Sequence, residues 1–157
     1  MLFLFVMTAA LVGLDQLFKY LAVVYLQPVR ELSVWPGIVG LRYVENDGAA
    51  FSILSGSQTF LILLTSAALI ALCWYLLTKR YSSKGEFAAL LLIFAGGIGN
   101  LIDRVRQGFV VDYIRVEFMN FAVFNFADCL VCIGIALLLV VTILEMRKEK
   151  KQVGADE

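Results

Sequence analysis

Carboxylates are the side chains best suited to chemistry in this sequence. The stretch of residues 95–128 contains Asp103, Asp112 and Asp128 among glycines and apolar residues. Histidine is absent from the chain, which excludes Ser-His-Asp and Cys-His nucleophiles and the common zinc sites built with histidine. Acid–base chemistry between carboxyl groups is therefore what these residue types favour.

Two carboxyl groups held close together in an apolar setting act as a pair. They cannot both ionise cheaply, so they share a proton and their pKa values separate. One group then takes a proton from water while the other donates a proton to a carbonyl oxygen or a leaving amine. This arrangement is that of an aspartic protease, and it is the chemistry that we predict.

Elimination indicates Asp112 and Asp128 as the catalytic pair. Asp103 lies next to Arg104, which favours an ionised, structural carboxylate. Asp128 has no cation within four residues, and Asp112 has only Arg115, three residues beyond it on a predicted strand. We therefore expect the two acids without a close cation to form the dyad.

Amide side chains accompany these acids at helical spacing. Asn125 precedes Asp128 by three residues, and Asn100, Asp103 and Arg104 share one helix face at i, i+3 and i+4. We expect the two asparagines to orient the dyad or the substrate backbone. An alternative interpretation of the second group is an interfacial cap with an Asp–Arg pair at a membrane surface.

A charged pair also lies inside the first apolar run. Asp15 and Lys19 are four residues apart, so they share a helix face and can pair. Charges inside a membrane span usually face the bundle interior and mark functional sites. Two roles stay open for this pair: a structural ion pair that fixes the helix, or an organiser of the site.

The elements that must position these residues are apolar and long. Of 157 residues, 61% are hydrophobic and 17% are charged, and a spanning helix needs about 20 mostly apolar residues. We predict an all-α membrane protein, a single integral membrane domain over residues 1–157 with four transmembrane helices. The predicted spans are residues 2–26, 59–78, 87–102 and 126–144.

Lysine and arginine predict the orientation of these spans. If spans alternate, seven cations follow the second and fourth spans on one side, and five lie on the other. The positive-inside rule then places both termini in the cytoplasm. The predicted cytoplasmic segments are residues 79–86 and 145–157, and the predicted extracytoplasmic segments are residues 27–58 and 103–125. We expect a retained first span, because it has no basic leader and contains charged residues.

The extracytoplasmic segments carry weak structural signals. Residues 39–44 suit a short strand, and alternation around Asp112 also predicts a strand, which would fix the direction of that side chain. Residues 46–48 suit a turn before a short helix, and the small residues 48–50 leave room for another chain.

Other classes of function have less support. A formal net charge of zero gives no indication of nucleic-acid binding. The three cysteines lie in predicted spans, and although Cys129 and Cys132 could form a metal pair, we interpret them as small core residues. A proton-coupled small membrane transporter is the alternative function, since buried acids also relay protons. A non-enzymatic assembly factor and a metal-dependent lipid-modifying enzyme are weaker alternatives.

Five motifs occur in one order along nearly the whole chain. They are DQLFK (15–19), ENDGAAF (45–51), GGIGNLIDR (96–104), VVDY (110–113) and FNFAD (124–128). Together they resemble the lipoprotein signal peptidase (signal peptidase II) family. The resemblance implies a multi-pass enzyme of the bacterial cytoplasmic (inner) membrane, with an extracytoplasmic active site under a small β-sheet and a short helix.

The resemblance also implies substrate and residue roles. The enzyme would cleave diacylglyceryl-modified prolipoproteins just before the lipid-bearing cysteine, without cofactor or metal. Its partners would be these lipid-modified signal peptides and membrane lipid, and we expect a monomer. The family's catalytic aspartates match Asp112 and Asp128. The family's supporting polar residues match Asp15, Asn46, Asn100, Arg104 and Asn125, with Asp103 beside them. From the same motifs we add Lys19, Gly48, Ala49 and Ala127 as candidates for substrate binding or support of the site. Phe18 departs from the family, which usually has Ser or Thr there.

Overall fold

Four long helices form the membrane part of the described chain. The computed structural model describes residues 2–48, 54, 56–78 and 80–153. The helices are α1 (Leu2–Leu21), extended by a π-helical turn (Ala22–Leu26), α2 (Gln58–Leu77), α3 (Lys84–Gln107) and α4 (Phe126–Val153). Each is long and apolar enough to cross a membrane. The predicted fold class, helical with a small sheet, is confirmed.

Helix α3 extends past the predicted third span at both ends. Ser83 caps its start by accepting the Glu86 N–H at 3.1 Å, and Gly108 ends it in the left-handed region at φ 79°. These capping residues lie outside the apolar run, so hydropathy alone underestimates the length of the helix. As a result, Asp103 and Arg104 are helical rather than part of the following loop.

A three-stranded antiparallel sheet covers the end of the bundle. Its strands are β1 (Glu31–Trp35), β2 (Val39–Asn46) and β3 (Val110–Val116), in the order β1-β2-β3. The two strand signals in the sequence correspond to β2 and β3, whereas β1 was not predicted. In the register of β2 with β3, Val44 lies opposite Asp112. The sheet thereby joins the segment after α1 to the segment before α4.

Helix α3 is the central helix, because it packs against α1, α2 and α4. Two glycines permit this close packing. Gly96 lies against the main chain of α4 at Ala127, and a Cβ at Gly99 would lie 2.5 Å from Oδ2 of Asp15 on α1. The small residues of the GGIGN motif therefore bring three helices together at the level of the candidate acids.

Candidate active site

Asn125 and Asp128 begin α4 as a reciprocal capping pair. Asn125 Oδ1 accepts the Asp128 N–H at 3.0 Å, and Asp128 Oδ2 accepts the Asn125 N–H at 3.1 Å. This is the geometry of a capping box, with Asp in place of the usual Glu or Gln. The three-residue spacing of Asn125 and Asp128 is thus a capping signal as well as a shared helix face. The cap fixes Asp128 at the first turn of α4.

The remaining N–H groups of this turn bind side chains from other elements. Phe126 donates to the Tyr113 hydroxyl at 3.2 Å, and Ala127 donates to Asp15 Oδ1 at 3.0 Å. An unsatisfied N–H group costs several kcal/mol where water is excluded. Asp15 and Ala127 are both fully buried, so one supporting role of Asp15 is to complete the start of α4.

Asp112 lies in β3 and is held by two amides. Its Oδ1 accepts the Asn125 amide at 2.6 Å, and its Oδ2 accepts the Asn46 amide at 2.9 Å. Asp112 is only 2% exposed. Burial raises the pKa of Asp112, and the negative charge of Asp128 adds to the increase while the two amide bonds oppose it, so that the pKa is raised to about 7.

Asn100 connects the dyad candidates to α1. Its amide nitrogen donates to Asp128 Oδ1 at 2.8 Å, and its oxygen accepts from Lys19 at 2.8 Å and from Asn125 at 3.1 Å. The structure therefore brings both predicted asparagines between the two predicted acids. Asp128 itself is partly buried, so one side of the pair is open to a substrate.

Lys19 forms the predicted pair with Asp15 and also a second ion pair. The Nζ atom lies 2.9 Å from Asp15 Oδ2 and 3.1 Å from Asp103 Oδ2. The alternative interpretation of this helix end, a pair between Asp103 and its neighbour Arg104, does not describe the ion pairs that form here. Adjacent residues on a helix point in different directions, and Arg104 instead donates to the Gly48 carbonyl oxygen at 2.9 Å.

Asp103 also supports the sheet and α1. Its Oδ2 accepts the Val111 N–H at 3.1 Å, next to Asp112 in sequence, and its Oδ1 accepts the Gln16 amide at 2.9 Å. Asp103 is therefore a buried structural acid that ties α1, α3 and β3 together, as its predicted structural role requires.

The turn after β2 borders the site. The Gly48 N–H donates to Asn46 Oδ1 at 3.0 Å, while the Asn46 amide nitrogen holds Asp112. Arg104 holds the same turn through the Gly48 carbonyl. Ala49 and most of the predicted short helix lie outside the described residues.

A cavity of about 310 Å³ opens beside Asp112. Val44, Asn46 and Asp112 line one wall, and residues 120–123 line the other. Sequence inspection did not identify residues 120–123, which carry no motif. They lie over β3 because Phe124 pairs with Ile114 through backbone hydrogen bonds of 2.7 and 3.0 Å. The cavity therefore borders the buried acid.

Phe18 has an aromatic partner instead of a hydroxyl contact. Its ring packs edge-on against Phe126 at 5.4 Å between centroids, a geometry that aromatic pairs prefer.

Cys73, Cys129 and Cys132 are free thiols, and within the described ranges no group of three or more Cys, Asp or Glu side chains is arranged to hold a metal ion.

The fold and the site define a multi-pass membrane protein with two acids at one end of the bundle, one on β3 of the small sheet and one in the first turn of α4. Residues 7–144 match the family described as signal peptidase (SPase) II. The lipoprotein signal peptidase of Lactococcus lactis subsp. cremoris (strain SK11) is 44% identical over 87% of this chain and 89% of its own length. The lipoprotein signal peptidase of Streptococcus pneumoniae is 43% identical over 89% of this chain and 92% of its own length.

Solved structures agree with this relationship. One bacterial membrane enzyme superposes with a TM-score of 0.84 at 32% identity, over 91% of this chain and 88% of that chain. A second superposes with a TM-score of 0.79 at 33% identity, over 88% of this chain and 91% of that chain. The chain belongs to the signal peptidase II family, and it is therefore a membrane peptidase.

Proposed function

We propose that this chain is an aspartic endopeptidase that removes the signal peptide from diacylglyceryl-modified prolipoproteins. Cleavage would occur just before the lipid-bearing cysteine. Asp112 and Asp128 would activate the attacking water. Family membership supports the substrate class, and the single observation that carries the dyad is the Asn125 bridge, which bonds Asp112 through its amide and Asp128 through its main chain.

The reaction would need one proton shared between the two acids. The ionised carboxylate takes a proton from water as the water oxygen attacks the scissile carbonyl carbon, and the protonated acid gives its proton to the carbonyl oxygen. The resulting gem-diol collapses when the protonated carboxyl group passes its proton to the amide nitrogen of the lipid-bearing cysteine, while the other carboxylate takes a proton from a gem-diol hydroxyl. The peptide C–N bond then breaks, and the dyad again holds one proton.

The setting suits a substrate that is itself in the membrane. A signal helix and acyl chains can reach a site at the membrane boundary by lateral diffusion, whereas a soluble protease would have to extract them. Among the described residues, the acids and amides gather near the starts of α4 and β3, at one end of the bundle. With both termini in the cytoplasm, this end faces outward from the bacterial inner membrane. We propose that a monomer suffices.

Replacing either dyad acid by its amide should abolish cleavage. In Asp112→Asn and Asp128→Asn, each side chain keeps its shape but can no longer exchange a proton with water or product. We expect the rate to fall on the order of 10³-fold or more. The measurement is cleavage of a diacylglyceryl-modified prolipoprotein by purified protein in the presence of EDTA.

Glu45→Gln is the matched control. Glu45 is an exposed carboxylate on β2 that accepts the Tyr43 hydroxyl at 3.1 Å, away from the bridge, so its neutralisation should leave cleavage near the wild-type rate. Full activity in either dyad variant would contradict the assignment. Sensitivity of the wild type to EDTA would indicate a metal enzyme, and a folded wild type that does not cleave would favour proton-coupled transport.

A further inference from the structure

Lys19 is a buried cation that the proposed chemistry does not use directly. Its residue is 3% exposed, and its Nζ atom contacts Asp15 at 2.9 Å, Asp103 at 3.1 Å and Asn100 at 2.8 Å. An ammonium group has three donors and no acceptor, so these three contacts use all of its donors. The atom of Asn100 that faces Lys19 must therefore be the amide oxygen.

The orientation of Asn100 determines what Asp128 receives. Because the amide oxygen faces Lys19, the NH2 group points the other way and donates to Asp128 Oδ1 at 2.8 Å. A rotation of this amide by half a turn would place NH2 against the ammonium and oxygen against the carboxylate, and both contacts would be repulsive. Lys19 thus selects one of the two orientations of Asn100.

Asn125 is oriented by an independent contact. Its oxygen accepts the Asp128 N–H at the start of α4, so its NH2 group must point toward Asn100 Oδ1 and Asp112 Oδ1. The two amides therefore agree in direction, although one is oriented by a lysine and the other by a helix N-terminus. Each of the two side-chain amides thereby presents its N–H to a carboxyl oxygen, Asn100 to Asp128 and Asn125 to Asp112.

The two acids differ in what surrounds these bonds. Asp128 accepts the Asn100 amide and the Asn125 main-chain N–H in the first turn of α4, where the helix dipole favours negative charge. Asp112 lies in a strand, is 2% exposed and, among the described residues, accepts its hydrogen bonds from two neutral side-chain amides. Negative charge is therefore better accommodated at Asp128 than at Asp112.

We propose that Lys19 is a positioning residue that, through Asn100, holds Asp128 as the ionised member of the dyad and leaves the shared proton on Asp112. The assignment rests on the proposed function, since it names the roles within that dyad. Asp112 is then the acid that protonates the scissile carbonyl oxygen, and Asp128 is the base that deprotonates water.

Charged and titratable groups approach this network from each element packed around it. They are Asp15 and Lys19 on α1, Tyr43 on β2, Asp103 and Arg104 on α3, Asp112 and Tyr113 on β3, and Asp128 and Cys129 on α4. Lys19 and Arg104 are the cations that act on the dyad. Loss of the Lys19 charge removes one of these cations, so protonated carboxyl groups become more favourable and both limbs of the pH profile should move to higher pH.

The test compares Lys19→Met/Asp103→Asn with Asp103→Asn alone. Removing Lys19 together with one of its two acids keeps the net charge of this buried cluster unchanged, with Asp15 as the remaining acid, so the variant carries less buried excess charge than Lys19→Met alone would. We expect the double variant to lose on the order of 100-fold in kcat, with KM nearly unchanged, because the acids are displaced while the substrate contacts remain. Both limbs of its pH profile should lie at higher pH than those of Asp103→Asn alone. Lys19→Arg retains the charge, so its limbs should stay near those of the wild type.

Lys84→Met is the matched control, because Lys84 is an exposed cation at the far end of α3. It should change neither kcat nor the pH profile. A purely structural role for Lys19 would lower activity equally at every pH and leave both limbs in place, which would overturn the proposal. A wild type that does not cleave prolipoprotein would instead overturn the proposed function itself.

Infrared difference spectra of the intact protein, recorded below and above the pKa of Asp112, test the proton position without turnover. The protonated-carboxyl band should disappear in Asp112→Asn and persist in Asp128→Asn. The reverse pattern would place the proton on Asp128 and overturn the proposal, even if the Lys19 variants do not fold.

Discussion

At the scale of single residues, Asn125 is the side chain on which both acids depend. It donates to Asp112 at 2.6 Å, accepts from the Asp128 N–H at 3.0 Å and offers its own N–H to Asp128 at 3.1 Å. Asp112 is buried with neutral donors around it, and this burial raises the pKa of Asp112 to about 7. A carboxyl group that titrates there can act as an acid at neutral pH.

The raised pKa of Asp112 predicts a pH-dependent stability. The folded protein retains a proton that the unfolded chain, with an Asp pKa of 3.8, has already released. This contribution is fully present below about pH 4 and is lost as the pH rises through about 7. We expect the Tm of the wild type in detergent to fall across this window.

Asp112→Asn removes the titrating group but retains the amide-sized side chain. The pKa values of Asp112 in the unfolded and folded states set a window from about pH 4 to about pH 7. Across this window the Tm of Asp112→Asn should therefore vary less than that of the wild type. Equal pH dependence in the two proteins would show that Asp112 does not hold a proton at neutral pH.

At the scale of elements, the start of α4 is the point where α1, β3 and α4 meet and where Asp128 is held. Its first N–H groups are bound by Tyr113 from β3, Asp15 from α1 and the side chain of Asn125. Each of these acceptors comes from a different part of the chain. A change in the position of α1 or of the sheet is therefore transmitted directly to Asp128.

Asn125→Ala should separate the two roles of this helix start. Loss of the cap alone costs about 1 kcal/mol of unfolding free energy, and the lost amide also removes one hydrogen bond from Asp112 and one from Asn100. We expect a stability loss of about 1–3 kcal/mol together with a loss of cleavage on the order of 100-fold. Thermal unfolding and the prolipoprotein cleavage rate measure the two effects.

Ser83→Ala is the matched cap variant. Ser83 caps α3 at the opposite end of the bundle by accepting the Glu86 N–H at 3.1 Å. The substitution Ser83→Ala should cost about 1 kcal/mol of unfolding free energy but leave the cleavage rate near that of the wild type. If both cap variants lose activity equally, Asn125 acts only through helix stability.

At the scale of the whole molecule, α3 is the element against which the site is assembled. α1, α2 and α4 pack on it, and Gly96 and Gly99 bring the first and last helices close to its main chain. The sheet then closes this end, with Tyr43, Val111 and Tyr113 packed on the end of the first helical segment. The positions of the acids thus depend on the packing of α1, α3, α4 and the sheet at this end of the bundle.

Gly99→Ala should disturb this assembly. The added Cβ would lie 2.5 Å from Asp15 Oδ2, and Asp15 is fully buried with Lys19 and Ala127 as partners. Overpacking of this kind costs about 1–3 kcal/mol, and we expect a reduced cleavage rate as Asp15 and α4 shift. Gly13→Ala on α1, where a Cβ meets nothing within 4 Å, should be neutral or slightly stabilising. Equal Tm changes in the two variants would contradict the packing role of Gly99.

The sequence alone determined the features that depend on local spacing. Apolar runs predicted the four helices, the i,i+4 spacing predicted the Asp15–Lys19 pair, and alternation predicted the strand that carries Asp112. Motif order predicted the family, which the comparisons confirm. Each of these signals reflects a fixed helical or strand period, so it can be seen without knowing how the elements pack.

Only the tertiary structure decided which polar groups meet. Lys19 contacts Asp103 and Asn100 across more than eighty residues of sequence, and Asn46 contacts Asp112 across 66. Local spacing instead suggested an Asp103–Arg104 pair, and it gave no sign of β1 or of the wall formed by residues 120–123. The reason is that partner choice depends on the direction in which packed helices and a bulged sheet point their side chains, and sequence spacing does not contain that direction.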